Sequence, residues 1–309
     1  MGHYDYIVFI GFRTPHGAVQ KDRRIAVKRI NALLLMVLAV AVGLFASYYL
    51  WVHNRLDTVG PVMTIEDGLL EISVKDPEEA LMQGIRAMDD RDGDVTASIL
   101  VESVYGISDD NVTTVTYAAF DRAGNVTKIQ RQVRYKDYEH PRFELYCSMT
   151  FTYGSGFDLL EHIGARDVIE GNISRRVHAT LISDTKGITA QGRHRVKLQV
   201  TNNLGDTVEM VMPVEVFDPE WYVADVELKQ YMIYLERGAE FEPRDYLKGF
   251  LLRGEVIDVS PTVPADIELE IANPVDTNVP GVYEVSYILS KSLNLNTYSG
   301  IARLVVVVE

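Results

Sequence analysis

Residues Ala32–Val52 form an apolar run of 21 positions without a single charge. As a helix this run extends about 31 Å at ~1.5 Å per residue, the thickness of a bilayer's hydrocarbon core. Ala32, Leu33, Leu34 and Leu35 open it, and Trp51 and Val52 close it, with Tyr48 and Tyr49 beside them where aromatic rings favour the headgroup level. Residues 31–53 are therefore predicted as a transmembrane helix with membrane lipid as its partner. Arg13, Lys21, Arg23, Arg24, Lys28 and Arg29 precede the run, and only Arg55 follows closely. That asymmetry places the N-terminus in the cytoplasm and the C-terminal part outside the cell membrane. A cleaved secretory signal has a shorter apolar core, ~7–15 residues, ending in a small-x-small site. Here the run ends in Tyr48-Tyr49-Leu50-Trp51, which favours an uncleaved anchor.

The two sides differ in charge. Residues 1–56 carry seven basic and two acidic side chains, whereas residues 57–309 carry 23 basic and 42 acidic, a net of −19. So acidic a region argues against nucleic acid as a partner. Cys147 is the only cysteine, so no intramolecular disulfide forms, and apolar cores must hold the outer part together. Residues 1–30 read as a basic tail, in which Tyr4–Ile10 has the composition of one strand.

From Asp57 onward the pattern is short period-2 alternation punctuated by Gly, Asp and Asn, the signature of two-sheet sandwiches. It also repeats. Ala87, Asp89, Asp92, Gly93, Asp94, Val95 and Thr96 align with Ala165, Asp167, Glu170, Gly171, Asn172, Ile173 and Ser174. A second landmark follows each. Val115, Tyr117 and Ala119 lead into a turn at Asp121–Asn125, and Val196, Leu198 and Val200 lead into one at Asn202–Asp206, 81 residues later throughout. A third copy is weaker: Arg253-Gly254-Glu255-Val256, then Tyr283, Val285 and Tyr287, a loop expected through Ser290–Ser299, and a last strand at Leu304–Val308. The predicted units are 57–136, 139–218 and an atypical 222–309. A helical turn is expected in each before the glycine landmark, within Pro77–Gly84, Phe157–Gly164 and Arg244–Gly249. The fold class is all-β: tandem sandwiches preceded by one transmembrane α-helix.

These landmarks resemble those of bacterial immunoglobulin-like repeats of surface proteins. That family shows Asp-Gly-Asp-hydrophobic-Thr, here Asp92-Gly93-Asp94-Val95-Thr96, and later alternating aromatic and apolar residues before Asp-x-x-Gly-Asn, here Asp121, Gly124 and Asn125. Gly281, Tyr283, Val285 and Tyr287 carry the strand part in the third unit. The resemblance implies tandem Ig-like domains in an extracellular spacer, adhesive or assembly module, mostly non-enzymatic.

Chemistry is sparse. Asp90, Asp92 and Asp94 alternate as in a calcium loop, but the sixth and twelfth positions of an EF-hand would fall on Val95 and Val101. A tight turn with Gly93 at positive φ and Asp side chains on backbone N–H groups explains them without an ion. No metal or cofactor is therefore expected. His178 and His194 stand in different predicted strands and read as a solvent-facing pair. Cys147 lies in an apolar run, Phe143–Phe151, and reads as a buried small hydrophobe. No nucleophile with a matching base is visible, so no enzyme activity is expected. Trp221 and Tyr222, near Tyr231 and Tyr234, form the aromatic concentration outside the membrane segment and are the candidate interaction residues, as interdomain packing or as a glycan platform. The favoured function is a stalk docking to a protein partner, to a surface assembly or to itself; the alternative is a module that binds cell-wall polymer or glycan.

Overall fold

A computed structural model describes residues 16–66, 68–182, 190–218, 224–253, 255–259, 262–293 and 296–309, with side chains from 27 onward except 53–55. The expected strand at Tyr4–Ile10 lies outside the described residues, as do Trp221 and Tyr222.

Helix α1 spans His16–Arg55, about 60 Å at ~1.5 Å per residue. It therefore begins well before the apolar run and takes in much of the basic tail, which was expected to be separate. Its segment Val27–Val52 is long and apolar enough to cross a membrane and is covered by no other part of the chain among the described residues. Ala32, Leu33, Leu34, Leu35 and Trp51 are all exposed, and Val52 is partly so.

The first β unit comprises β1 (Val62–Ile65), β2 (Leu70–Ile72), β3 (Ile85–Asp89), β4 (Gly93–Asp94), β5 (Leu100–Ile107), β6 (Val112–Phe120) and β7 (Val126–Tyr135). They make two sheets, β1-β3-β4 and β2-β7-β6-β5. The second unit comprises β8 (Arg142–Leu145), β9 (Thr150–Thr152), β10 (Ile163–Asp167), β11 (Gly171–Asn172), β12 (His178–Leu181), β13 (Gly192–Thr201) and β14 (Thr207–Phe217). Its sheets, β11-β10-β8 and β12-β13-β14-β9, follow the same plan. In both, a short early strand adds in parallel to the last one, Ile72 beside Tyr135 and Thr152 beside Phe217.

The third unit comprises β15 (Ala224–Leu228), β16 (Met232–Leu235), β17 (Leu247–Leu252), β18 (Glu255–Asp258), β19 (Ile267–Ala272), β20 (Gly281–Leu293) and β21 (Asn296–Val308). Its strands form one continuous seven-stranded sheet. Strand β21 pairs in parallel with β15 at Gly300–Ile301 and with β16 at Val305–Val308. The loop expected at Ser290–Ser299 is instead the distal part of a long hairpin, with Ser290 opposite Ser299 and Ser292 opposite Thr297. Pairing across the hairpin satisfies backbone groups even where the side chains are polar and face water.

Alternation builds the cores. Val115, Tyr117, Ala119 and Val133 fill the first, and Val196, Leu198, Val200, Met212 and Val214 the second. Val226, Phe250, Val285, Tyr287, Leu289 and Leu304 fill the third. Short 3-10 turns sit before the glycine landmark in each unit, at Glu78–Met82, Leu159–His162 and Pro243–Tyr246. In the first and third units a core tyrosine fastens this turn: Tyr117 Oη donates to the Leu81 carbonyl at 2.7 Å and Tyr287 Oη to Pro243 at 2.8 Å. Burial raises the pKa of both hydroxyls, which keeps them protonated as donors.

Candidate functional site

The repeated landmarks are repeated hydrogen bonds. At the end of β3, Asp89 Oδ1 accepts from the N–H groups of Arg91 (2.9 Å) and Asp92 (2.8 Å). At the end of β10, Asp167 Oδ1 accepts from Ile169 (2.9 Å) and Glu170 (2.8 Å). Gly93 and Gly171, at φ +76° and +74°, supply the left-handed step that lets each turn close. Beyond it, Asp94 accepts from Thr96 N–H and Asn172 from Ser174 N–H. The hydrogen bonds from Thr96 hold the Asp94 carboxyl below its usual pKa.

The second landmark docks against the first. Arg122 N–H donates to Asp92 Oδ2 (2.7 Å), and its counterpart Asn203 N–H donates to Glu170 Oε1. Within the turns the acid and the amide have changed places. Asp121 Oδ1 accepts from Asn125 N–H (2.7 Å), whereas Asn202 Oδ1 accepts from Asp206 N–H (2.9 Å). Burial opposes ionisation of Asp121, but the bonds from Asn125, Gly124 and Ala123 prevail, and its pKa is lowered.

Each turn also grips the chain that enters its unit. Asn125 Nδ2 donates to the carbonyls of Asp57 (3.2 Å) and Val59 (3.3 Å). Eighty-one residues on, Asp206 Oδ2 accepts from Tyr138 Oη (2.6 Å) and faces His140 Nδ1 (2.8 Å). Asn202 Nδ2 completes this second network, donating to Tyr138 Oη and to Asp167 Oδ2, each at 2.8 Å. Burial first, then the Asp206 carboxylate, pushes the Tyr138 pKa far above the usual tyrosine range.

The units interlock at these places. Leu204, on the turn between β13 and β14, is buried in the core of the first unit, and its carbonyl accepts from Gly106 N–H at 2.7 Å. A cleft of about 330 Å³ beside it is lined by Val74, Pro77, Leu81, Tyr135, Ile169 and Leu204. Val305 of β21 is likewise buried in the core of the second unit. Tyr234 Oη bridges the Phe143 backbone, donating to its carbonyl and accepting from its N–H. Arg303, 12% exposed, pairs with Glu215 across the joint and with Glu284 in its own unit.

The aspartates Asp90, Asp92 and Asp94 do not converge as a ligand set, since Asp92 and Asp94 serve the turns. The structure gathers Asp57, Asp89 and Asp90 instead, each offering a carboxylate oxygen within 4.8 Å of the others. The offset of 81 residues, carried back to Asp57 and Tyr138, is the sequence signal for the entering-chain contacts. His178 and His194 do not meet: His178 is exposed opposite Gln199, while His194 is buried with Nε2 2.6 Å from the Ala190 carbonyl. Cys147 is half-buried between β8 and β9, and burial raises its pKa, so it is a poor nucleophile. Tyr231 packs against both the second and the third cores.

No family model matches the sequence, and no curated protein matches it. Among solved structures, the protocadherin gamma B4 extracellular domain matches at 8% identity and TM-score 0.18, over 80% of this chain and 49% of that one. Protocadherin gamma B7 extracellular cadherin domains 1–4 match at 12% identity and TM-score 0.20, over 80% and 76%. CBM51-2 and INT domains of Clostridium perfringens ZmpB, in complex with GlcNAc, match at 13% identity and TM-score 0.21, over 81% and 44%. This chain thus spans about half the length of the first of these structures. The likeness is too distant to carry any property of those proteins to this chain.

Proposed function

We propose that this chain is a membrane-anchored surface protein of the bacterial immunoglobulin-like kind, with its N-terminus in the cytoplasm. Its three units form a stalk outside, docking to a protein partner or surface assembly, and do no chemistry of their own. The observation that supports this reading is the interlocking of successive units. Leu204 reaches into the core before its own and Val305 does the same, so the position of one unit is transmitted to the next. Such continuity suits a spacer that holds a binding surface at a set distance from the bilayer. The third unit exposes Val256, Val279 and Val282, apolar side chains available to a partner.

A photo-crosslinking residue at Val256 or Val282 of the full-length protein in intact cells should capture a protein. Capture of cell-wall polymer alone would move the assignment to a glycan-binding module. Protease added outside intact cells should remove the β units, and their full protection would overturn the topology.

A further inference from the structure

We propose that the first unit binds a divalent cation of the calcium type through Asp57, Asp89 and Asp90, at the joint between α1 and the β units. The reasoning starts from one atom. Asp89 is only 7% exposed; its Oδ1 takes two backbone N–H groups, but its Oδ2 is buried with no hydrogen-bond partner. Buried carboxylate oxygens are paired or coordinate metals, because leaving one bare forfeits its hydration without compensation.

The second unit shows what that oxygen needs. There Asp167, 2% exposed and equivalent to Asp89, has its Oδ2 satisfied by Asn202 Nδ2. In the first unit the residue in the place of Asn202 is Asp121. Its carboxylate has no N–H to give, and its two oxygens are engaged by Asn125. The exchange of acid and amide between the two turns thus removes the internal donor from the first unit alone. Something electropositive must replace it.

What faces the gap is acidic. Asp57, its side chain 10% exposed, and Asp90 bring carboxylate oxygens within 4.8 Å of Asp89. Arg91 Nε stands 3.7 Å from Asp57 Oδ2 and offsets one of the three charges. Three carboxylates this close favour a small hard cation with oxygen ligands, and calcium accepts backbone carbonyls and water for the remainder of its shell. The cation would tie residue 57, two positions beyond the end of α1, to the β3–β4 turn. It would therefore stiffen the connection of the stalk to its anchor.

The test uses the full-length protein in detergent, stripped with chelator and titrated with calcium chloride, with magnesium chloride as the comparison. One equivalent of calcium should bind and raise the unfolding temperature. Asp89→Asn and Asp57→Asn should each weaken binding at least tenfold. The exposed Asp90→Asn, which leaves the fold intact, should weaken it measurably. Absence of calcium binding at millimolar concentration, or binding unaffected by Asp57→Asn and Asp90→Asn, would overturn the proposal.

Discussion

Leu204→Ala separates ownership by sequence from ownership by packing. Leu204 belongs to the second unit in the chain but to the first in its burial. The substitution removes three carbons from a buried site, about 2.4 kcal/mol at ~0.8 kcal/mol each. A cavity contribution adds to this, although the neighbouring cleft lets the joint relax, so a total near 3 kcal/mol is expected. Native-state hydrogen exchange is the assay, because it reports each unit separately. Amides of Val112–Phe120 in β6 should open at least thirtyfold more often, since 1.4 kcal/mol is a factor of ten. Those of Thr207–Phe217 in β14 should change little. The reverse pattern would refute the claim that the second unit completes the first unit's core.

Other outcomes follow from particular contacts. Tyr138→Phe keeps the ring but removes the hydroxyl between Asn202 and Asp206, which should cost about 1–3 kcal/mol in urea unfolding. Because folding raises the pKa of Tyr138 above its ordinary 10.0, its contribution is complete below pH 10 and lost as pH rises beyond. The wild-type protein should therefore lose stability above pH 10 more steeply than Tyr138→Phe. Arg303→Met takes the shared cation from Glu284 and Glu215, but Glu284 keeps Arg193 and Glu215 is 30% exposed, so the cost by thermal unfolding should be roughly 1–3 kcal/mol. Arg303→Lys should recover only part of this, since one ammonium cannot span the acceptors that the guanidinium reaches. Gly300→Ala places a Cβ 2.6 Å from the Ala224 carbonyl oxygen and should destabilise the third unit by about 1–3 kcal/mol. Gly164→Ala first meets the exposed Tyr146 side chain, which can swing away, so it should be much milder in the same denaturation assay.

Much of the β architecture was legible because alternation has one physical cause. Val115, Tyr117 and Ala119 share a face by period-2 geometry, and that face is the buried one. Gly93 and Gly124 announce their positive φ values, +76° and +88°, through the Asp and Asn residues around them. The short turns before each glycine landmark were visible in composition. The distal hairpin of β20 and β21 was misread as a loop because Ser290, Ser292, Thr297 and Ser299 dominate its composition, while only Leu293 and Tyr298 there pack against the third core. The start of α1 was missed for a related reason: charged residues say nothing against helix, and only the apolar part had a distinctive length. The candidate site was legible by half. Both landmarks were apparent, but that they touch, and that the entering chain closes over them, depends on pairings 30 and 68 residues apart, which local pattern cannot carry. The buried Asp89 stayed outside the candidate set Asp90, Asp92 and Asp94, because a carboxylate's burial depends on its place in a strand rather than on its neighbours.

The borrowed core residues also set an order of events during synthesis. The first unit's last strand ends at Tyr135, yet Leu204 arrives 69 residues later. At ~5–20 residues per second that interval is roughly 3–14 s, long against the folding of most small β domains. The second unit waits in the same way for Val305, 88 residues beyond Phe217. Maturation therefore runs backwards along the stalk, each unit sealed by the one made after it. A chain interrupted within β21 would leave open two units rather than one.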